Sequence, residues 1–255
     1  MTESSISKYL KSNSVAQEEL LTLRLLYELK KAAAEREYHL KIFHPNIDFE
    51  GFDIIVDDNH LIGKYQIKSK LDSTTKKWKI QRNMLFPTRK DAKHMQVGDG
   101  LMCSNFEKGV ILIDAKESSK DFVLEFYYTD YYIIRGISYG LIKKPDRVTK
   151  AAKGITQKLF GENRRPSEKI FIGKHLFVKV KSAMCLLAIC GFDNSVNVNP
   201  RIRFLYLYEK NRIEKHGAKS NNTIQANIEI LTNELSKILD EGNRASSQRS
   251  LSKLN

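Results

Sequence analysis

The chain has 255 residues, 41% hydrophobic and 29% charged, enough to bury the core of one large domain or two small ones. No stretch approaches the roughly 18 apolar residues that a membrane-spanning helix needs, and the opening Met1-Thr2-Glu3-Ser4-Ser5 lacks the basic and apolar regions of a secretory signal. Forty-three Lys and Arg against thirty Asp and Glu leave a formal charge of +13. That excess favours a polyanionic partner, because neutralising phosphates releases condensed counterions.

Residues 1–14 are rich in serine and read as a loose start. From Val15 to Ala34 the spacing predicts a helix. Leu21, Leu25 and Leu29 recur every four residues, with Ser14 placed as N-cap and Gln17 at the third position. Glu18 and Glu19 fall near its first turn, where the helix dipole favours acids. Leu40, Ile42 and Phe43 read as a strand ahead of Pro45.

Gly51 to Lys70 is the most informative segment. Phe52, Ile54, Ile55 and Val56 form one short strand, Asp57-Asp58-Asn59-His60 a polar turn, and Ile62 to Lys68 a second strand. Side chains alternate across a strand, so Gln66 and Lys68 share one face while Tyr65 and Ile67 take the other. Asp53 sits in an otherwise apolar strand, where an unpaired carboxylate is costly, and strand pairing brings it beside that polar face. An acid, an amide oxygen and an ammonium suit metal-assisted phosphodiester hydrolysis. Mg²⁺ takes one or two protein carboxylates and keeps several waters. Asp53, the Gln66 side-chain oxygen and the Ile67 backbone carbonyl would supply a partial shell. Lys68 would hold or help deprotonate the attacking water and offset charge developing on the phosphate. The plainer alternative is a half-buried hairpin with solvated lysines.

Ser69 to Lys93 is basic, with Lys70, Lys76, Lys77, Lys79, Arg82, Arg89, Lys90 and Lys93 around the sole tryptophan, Trp78. Lysines beside an aromatic suit a nucleic-acid-facing loop, the charges taking phosphates and the ring stacking on a base. Val110 to Ile113 and Asp121 to Ile134 read as strands. Asp99 with Asp114-Ala115-Lys116 makes a second acid and Asp-x-Lys set; it ranks behind the first because Lys116 opens a polar stretch that reads as a loop. Residues 136–166 read as a connector holding Arg164 and Arg165, a pair suited to gripping phosphates. Ile170 to Val180, Met184 to Ile189 and Ile202 to Tyr208 read as strands, and Thr223 to Leu239 as a closing amphipathic helix. Residues 243–255 read as a disordered tail. Cys103, Cys185 and Cys190 are an odd count, two of them in an apolar run, which points to buried free thiols and a reducing cytoplasm.

A helix carrying an acid, then an Asp, then Gln-x-Lys on the next strand resembles the PD-(D/E)xK nuclease superfamily, which includes restriction endonucleases, Holliday-junction resolvases and Mrr-type enzymes. The resemblance covers about residues 15–70. It implies that Asp53 is the metal-binding acid, Lys68 the catalytic lysine and Glu19 the acid of the first helix, with Glu18 ranked just behind it. Gln66 stands where most members carry an acid. The implied fold is α/β or α+β: a restriction-endonuclease-like mixed sheet with a leading helix at 15–140. A β-rich segment with a closing helix at 141–242 would serve recognition or dimerisation. The implied activity is a Mg²⁺-dependent endonuclease on double-stranded DNA, with Mn²⁺ able to substitute, of a restriction or defence type and acting as a homodimer. Two other classes stay open: a silent nuclease-fold DNA-binding protein, favoured by the charge lost at Gln66, and a non-nuclease that meets RNA or an acidic partner.

Overall fold

The leucine spacing of the second helix sets the first layer. The computed structural model describes residues 5–45, 51–71, 74–88, 106–118, 122–160, 168–192, 229 and 232–240. In it α1 (Ser5–Ser12) leads into α2 (Ser14–Ala34), which buries Leu21, Leu25, Leu29, Ala32 and Ala33. The segment expected to be loose is therefore helical from Ser5, and Leu10 is part of the core. Asn13, not Ser14, caps α2 by accepting the Ala16 N–H at 3.1 Å.

The main sheet has six strands. In chain order these are β1 (Lys41–Phe43), β2 (Ile54–Asp57), β3 (Ile62–Leu71), β5 (Glu107–Glu117), β6 (Phe122–Thr129) and β8 (Val178–Val180), and they lie in that order across the sheet. β3 and β5 pair in parallel and every other pair is antiparallel. A separate two-stranded ribbon joins β4 (Lys77–Gln81) to β7 (Lys169–Gly173). The fold is thus mixed α/β, as the sequence predicts. The β2–β3 turn is set by its acids: Asp57 Oδ1 accepts the Asn59 N–H, and Asp58 Oδ1 accepts those of His60 and Leu61. Asn59 takes φ +70 there, a conformation that Asn tolerates better than most residues.

Both faces of the sheet are covered. On one, α5 (Ala183–Cys190) packs against α2, and the Tyr65 ring meets Tyr128 and Phe192 at centroid distances of 6.4 and 6.1 Å. On the other, the 3-10 turn Arg82–Leu85 packs over β3 and β5, and the ribbon adjoins it with the Gln81 N–H reaching Gln66 on β3. α3 (Tyr131–Ser138) and α4 (Asp146–Phe160) pack together at the end of β6.

Several sequence expectations change here. The run expected as a strand through Ile134 ends at Thr129, because Asp130 caps α3 by accepting the Ile133 N–H at 2.7 Å. The connector at 136–166 contains α4. Met184 to Ile189 is helical: Ser182 accepts the Cys185 N–H, and Gly191 at φ +92 closes the C-terminus. Strands and helices beyond residue 141 complete the same sheet and core, so no division at 140 separates two cores. Residues 232–240 form a helix that packs on the body through Leu235 and Ile238, as expected of the closing helix. Ile202 to Tyr208 lies outside the described residues.

Candidate active site

The hairpin brings Asp53 to Gln66. The Asp53 N–H donates to the Tyr65 carbonyl at 2.8 Å, and its carboxylate Oδ2 accepts the Ile67 N–H at 2.5 Å. Asp53 therefore clasps the two residues on either side of Gln66. β2 begins only at Ile54, so the carboxylate takes over a ladder position that a backbone carbonyl fills further along. The N–H and C=O of one strand residue point to the same edge. The Ile67 carbonyl is thus directed to the edge where Asp53 stands.

Gln66 is buried, and its Oε1 accepts the Gln81 N–H from β4 at 3.2 Å. Lys64, Gln66, Lys68 and Lys70 line one face of β3. The Lys64 ammonium lies 4.5 Å from the Phe52 ring centroid and 4.8 Å from that of Phe106. Lys70 pairs with the buried Asp114 at 3.1 Å. Lys68, between them and half-buried, has no hydrogen bond or ion pair among the described residues. A partly buried ammonium is normally matched by an acceptor, which sets Lys68 apart from its neighbours.

Gln81 was not singled out from the sequence. Its side chain presses on Gly51, where an added Cβ would meet Gln81 Cγ at 2.0 Å, and Gly51 itself adopts φ +77. Gln81 Oε1 is buried and accepts no hydrogen bond among the described residues. Such an acceptor is of the kind that a hydrated cation or a donor from a ligand satisfies. The donors gathered here are all oxygens: the Asp53 carboxylate, the Gln66 amide, the Ile67 carbonyl and the Gln81 amide nearby. That chemistry suits a hard cation which keeps much of its water. Only one of these donors is anionic, and among the described residues no group of three His, Cys, Asp or Glu side chains gathers to hold a metal.

Comparison with family models, curated proteins and solved structures found no match.

The other expected site residues divide sharply. On α2, Glu18 points along the stripe of Leu21, Leu25 and Leu29, whereas Glu19 is turned about 100° away; both are exposed. Trp78 is 7% exposed and meets Phe177 edge-on at 6.1 Å, so its ring is core and cannot stack on a base. Arg82 is fully enclosed, with Nη2 donating to the Leu159 carbonyl, and does not face a ligand. Lys70 is held by Asp114. These three expectations are corrected by burial or pairing. Lys76, Lys77 and Lys79 are exposed. Arg164 and Arg165 lie outside the described residues.

The competing set fares differently from its expectation. Lys116 stands in β5 rather than in a loop, yet Asp114 is gripped by Lys70 and by Lys174 at 2.5 Å, while Lys116 reaches Glu125 at 3.6 Å. Burial opposes the Lys174 charge, but its hydrogen bonds to Asp114 and Tyr127 raise its pKa above the ordinary lysine value. This cluster reads as an internal ion network that ties β3, β5 and the turn after β7. Asp99 lies outside the described residues. Cys185 and Cys190 are buried free thiols, as expected. Among the described residues, no helix is long and apolar enough to cross a membrane.

Proposed function

We propose that the chain is a Mg²⁺-dependent nuclease of the PD-(D/E)xK kind, hydrolysing phosphodiester bonds of DNA. The observation that carries this reading is Lys68, half-buried without a partner among the described residues, on the face of Gln66 and two residues along from the clasp that Asp53 makes on β3. Asp53, Gln66 and the Ile67 carbonyl would hold the ion. Bound Mg²⁺ or Mn²⁺ supplies charge against the phosphate and lowers the pKa of a coordinated water. Lys68 would hold the attacking water by donating to its oxygen and would oppose the charge that builds on the phosphate oxygens. Gln81 fixes the Gln66 amide through its own N–H, so the amide oxygen does not have to be ordered when substrate arrives. Glu18 and Glu19 stand exposed on α2, which packs on the face of the sheet opposite Gln66 and Lys68, so neither helix acid enters the proposed ion site. Cleavage of both strands, in a restriction or defence setting, would suit a homodimer, and the free thiols suit a reducing cytoplasm.

Incubating the purified chain with plasmid in Mg²⁺ or Mn²⁺ tests the proposal, with Lys68→Ala alongside. Nicked or linear product from the parent and none from Lys68→Ala supports it. Cleavage equal in both would remove Lys68 from the chemistry.

A second reading is a silent member of the same fold that binds DNA without cutting it. Gln66 favours it, because a neutral amide already engaged by Gln81 replaces an acid. DNA binding with a steep salt dependence, and no product at any Mg²⁺ or Mn²⁺ concentration, would decide for this reading.

A further inference from the structure

The β4–β7 ribbon has one face in the core and one in solvent. Trp78, Ile80, Ile170 and Ile172 turn inward and are buried. By the same alternation Lys77, Lys79, Lys169 and Phe171 turn outward. Phe171 is 63% exposed, a full aromatic ring turned to solvent. Lys79 stands directly across from it in the ladder, and Lys169 lies across from Gln81. Neither strand contains an acid: the sequences are Lys-Trp-Lys-Ile-Gln and Lys-Ile-Phe-Ile-Gly. Among the described residues, Lys77, Lys79 and Lys169 make no ion pair.

The basic surface continues past the ribbon. The His175 ring lies across Gly173, so closely that an added Cβ there would meet His175 Cε1 at 2.4 Å. Burial, followed by the nearby charges of Lys77, Arg147 and Lys144, pushes the His175 pKa below its ordinary value. Burial also lowers that of Lys144. Three cationic side chains, Lys77, Lys144 and Arg147, thus gather around His175 at one end of a ribbon whose strands carry no acid. At the other end, Gln81 touches Gln66 through its N–H.

We propose that this outer face is a binding track for single-stranded DNA, with Phe171 stacking on an unpaired base and Lys77, Lys79 and Lys169 holding the flanking phosphates. An exposed aromatic among lysines is the arrangement that tolerates any base, since every base has a π-face. Lysines two apart on β4 are about 6.8 Å from one another and cross-strand partners about 5 Å, so ring and ammonium groups reach one backbone together. The track deepens the nuclease reading and rests on it for the destination of the strand, which runs along the ribbon towards Gln81 and Gln66.

Binding of a fluorescent oligothymidine to the full chain, followed by anisotropy in EDTA, tests the track without any cleavage. Phe171→Ala is expected to weaken binding by about ten-fold, and Phe171→Tyr to preserve it. Lys79→Ala is expected to lower the slope of log affinity against log salt by about 0.7. Lys8→Ala, at an exposed position of α1, removes the same charge elsewhere and is expected to change neither. Phe171 is exposed, so thermal midpoints should match the parent. Parent-like affinity in Phe171→Ala, or an equal effect of Lys8→Ala and Lys79→Ala, overturns the track. So does tighter binding of duplex than of oligothymidine. Phe171-dependent binding without Mg²⁺-dependent cleavage keeps the track and defeats the nuclease. Parent-like binding by Phe171→Ala in a chain that does cleave defeats the track alone.

Discussion

The Asp53 carboxylate accepts the Ile67 amide hydrogen at 2.5 Å, so the group proposed to bind metal also closes the hairpin ladder. The two roles separate by substitution. Asp53→Asn keeps an acceptor for Ile67 and should fold with near-parent stability, while cleavage disappears. Asp53→Ala strands the Ile67 N–H and should cost about 1–3 kcal/mol in urea unfolding as well. Equal destabilisation by both would mean that the Ile67 bond contributes nothing particular.

Lys68 offers the reverse case. With no partner among the described residues to lose, Lys68→Met should leave the thermal midpoint within a degree or two of the parent. Cleavage should fall about 100-fold or more, the scale seen when one charge-stabilising group is removed from a transition state. A large loss of stability would reassign Lys68 to structure.

Gln66→Glu restores the acid that the resemblance leads one to expect. A carboxylate there can still accept the Gln81 N–H, so the fold should hold. Charge count tunes the affinity of hard-cation sites, and titration calorimetry should show tighter Mn²⁺ binding, by about ten-fold. Unchanged Mn²⁺ affinity would take Gln66 out of the metal shell.

Asp114 sits between Lys70 and Lys174 with its side chain 3% exposed. Removing it leaves two partly buried ammonium groups uncompensated. Asp114→Ala should destabilise by about 3 kcal/mol, and Asp114→Ala combined with Lys174→Met should recover part of that loss. Additive damage in the double variant would show that the pair is not coupled.

Acid should reveal a second pair. The hydrogen bond from Lys179, helped by one from Tyr127, holds Glu125 down to about 2 from an ordinary 4.5. A depressed carboxylate contributes stability that is complete above the unfolded value and is lost as pH falls from about 4.5 towards 2. The Lys179 side chain is 56% exposed, so solvent screening limits the effect to below about 1 kcal/mol. Lys179→Ala should flatten the stability profile in that window, with the small loss of stability present near neutrality and vanishing as the pH approaches 2.

What the sequence made legible was local. The turn acids at Asp57 and Asp58 and the leucine spacing of α2 act within a few residues of themselves, so both elements follow from the chain alone. The clasp on Gln66 was legible as a neighbourhood but not as bonds. Misreadings arose where a short pattern fits two structures. Ala183 to Cys190 is apolar on every side, and only its flanks, Ser182 and Gly191, mark it as a helix. Trp78 lies among lysines in sequence, yet strand alternation turns it inward while Lys77 and Lys79 turn out. Burial is decided by which layer a strand meets, and β7, the partner of β4, lies more than eighty residues away. The same distance hid Phe171 and Gln81, whose significance depends on what they lie against.

Phe192, immediately after α5, closes over the Tyr65 ring. Tyr65 in turn lends its carbonyl to Asp53. During synthesis, then, the floor beneath the hairpin is bare until the ribosome has released Phe192. A nascent or prematurely truncated product carries the acid, the amide and the ammonium but not the frame that aligns them.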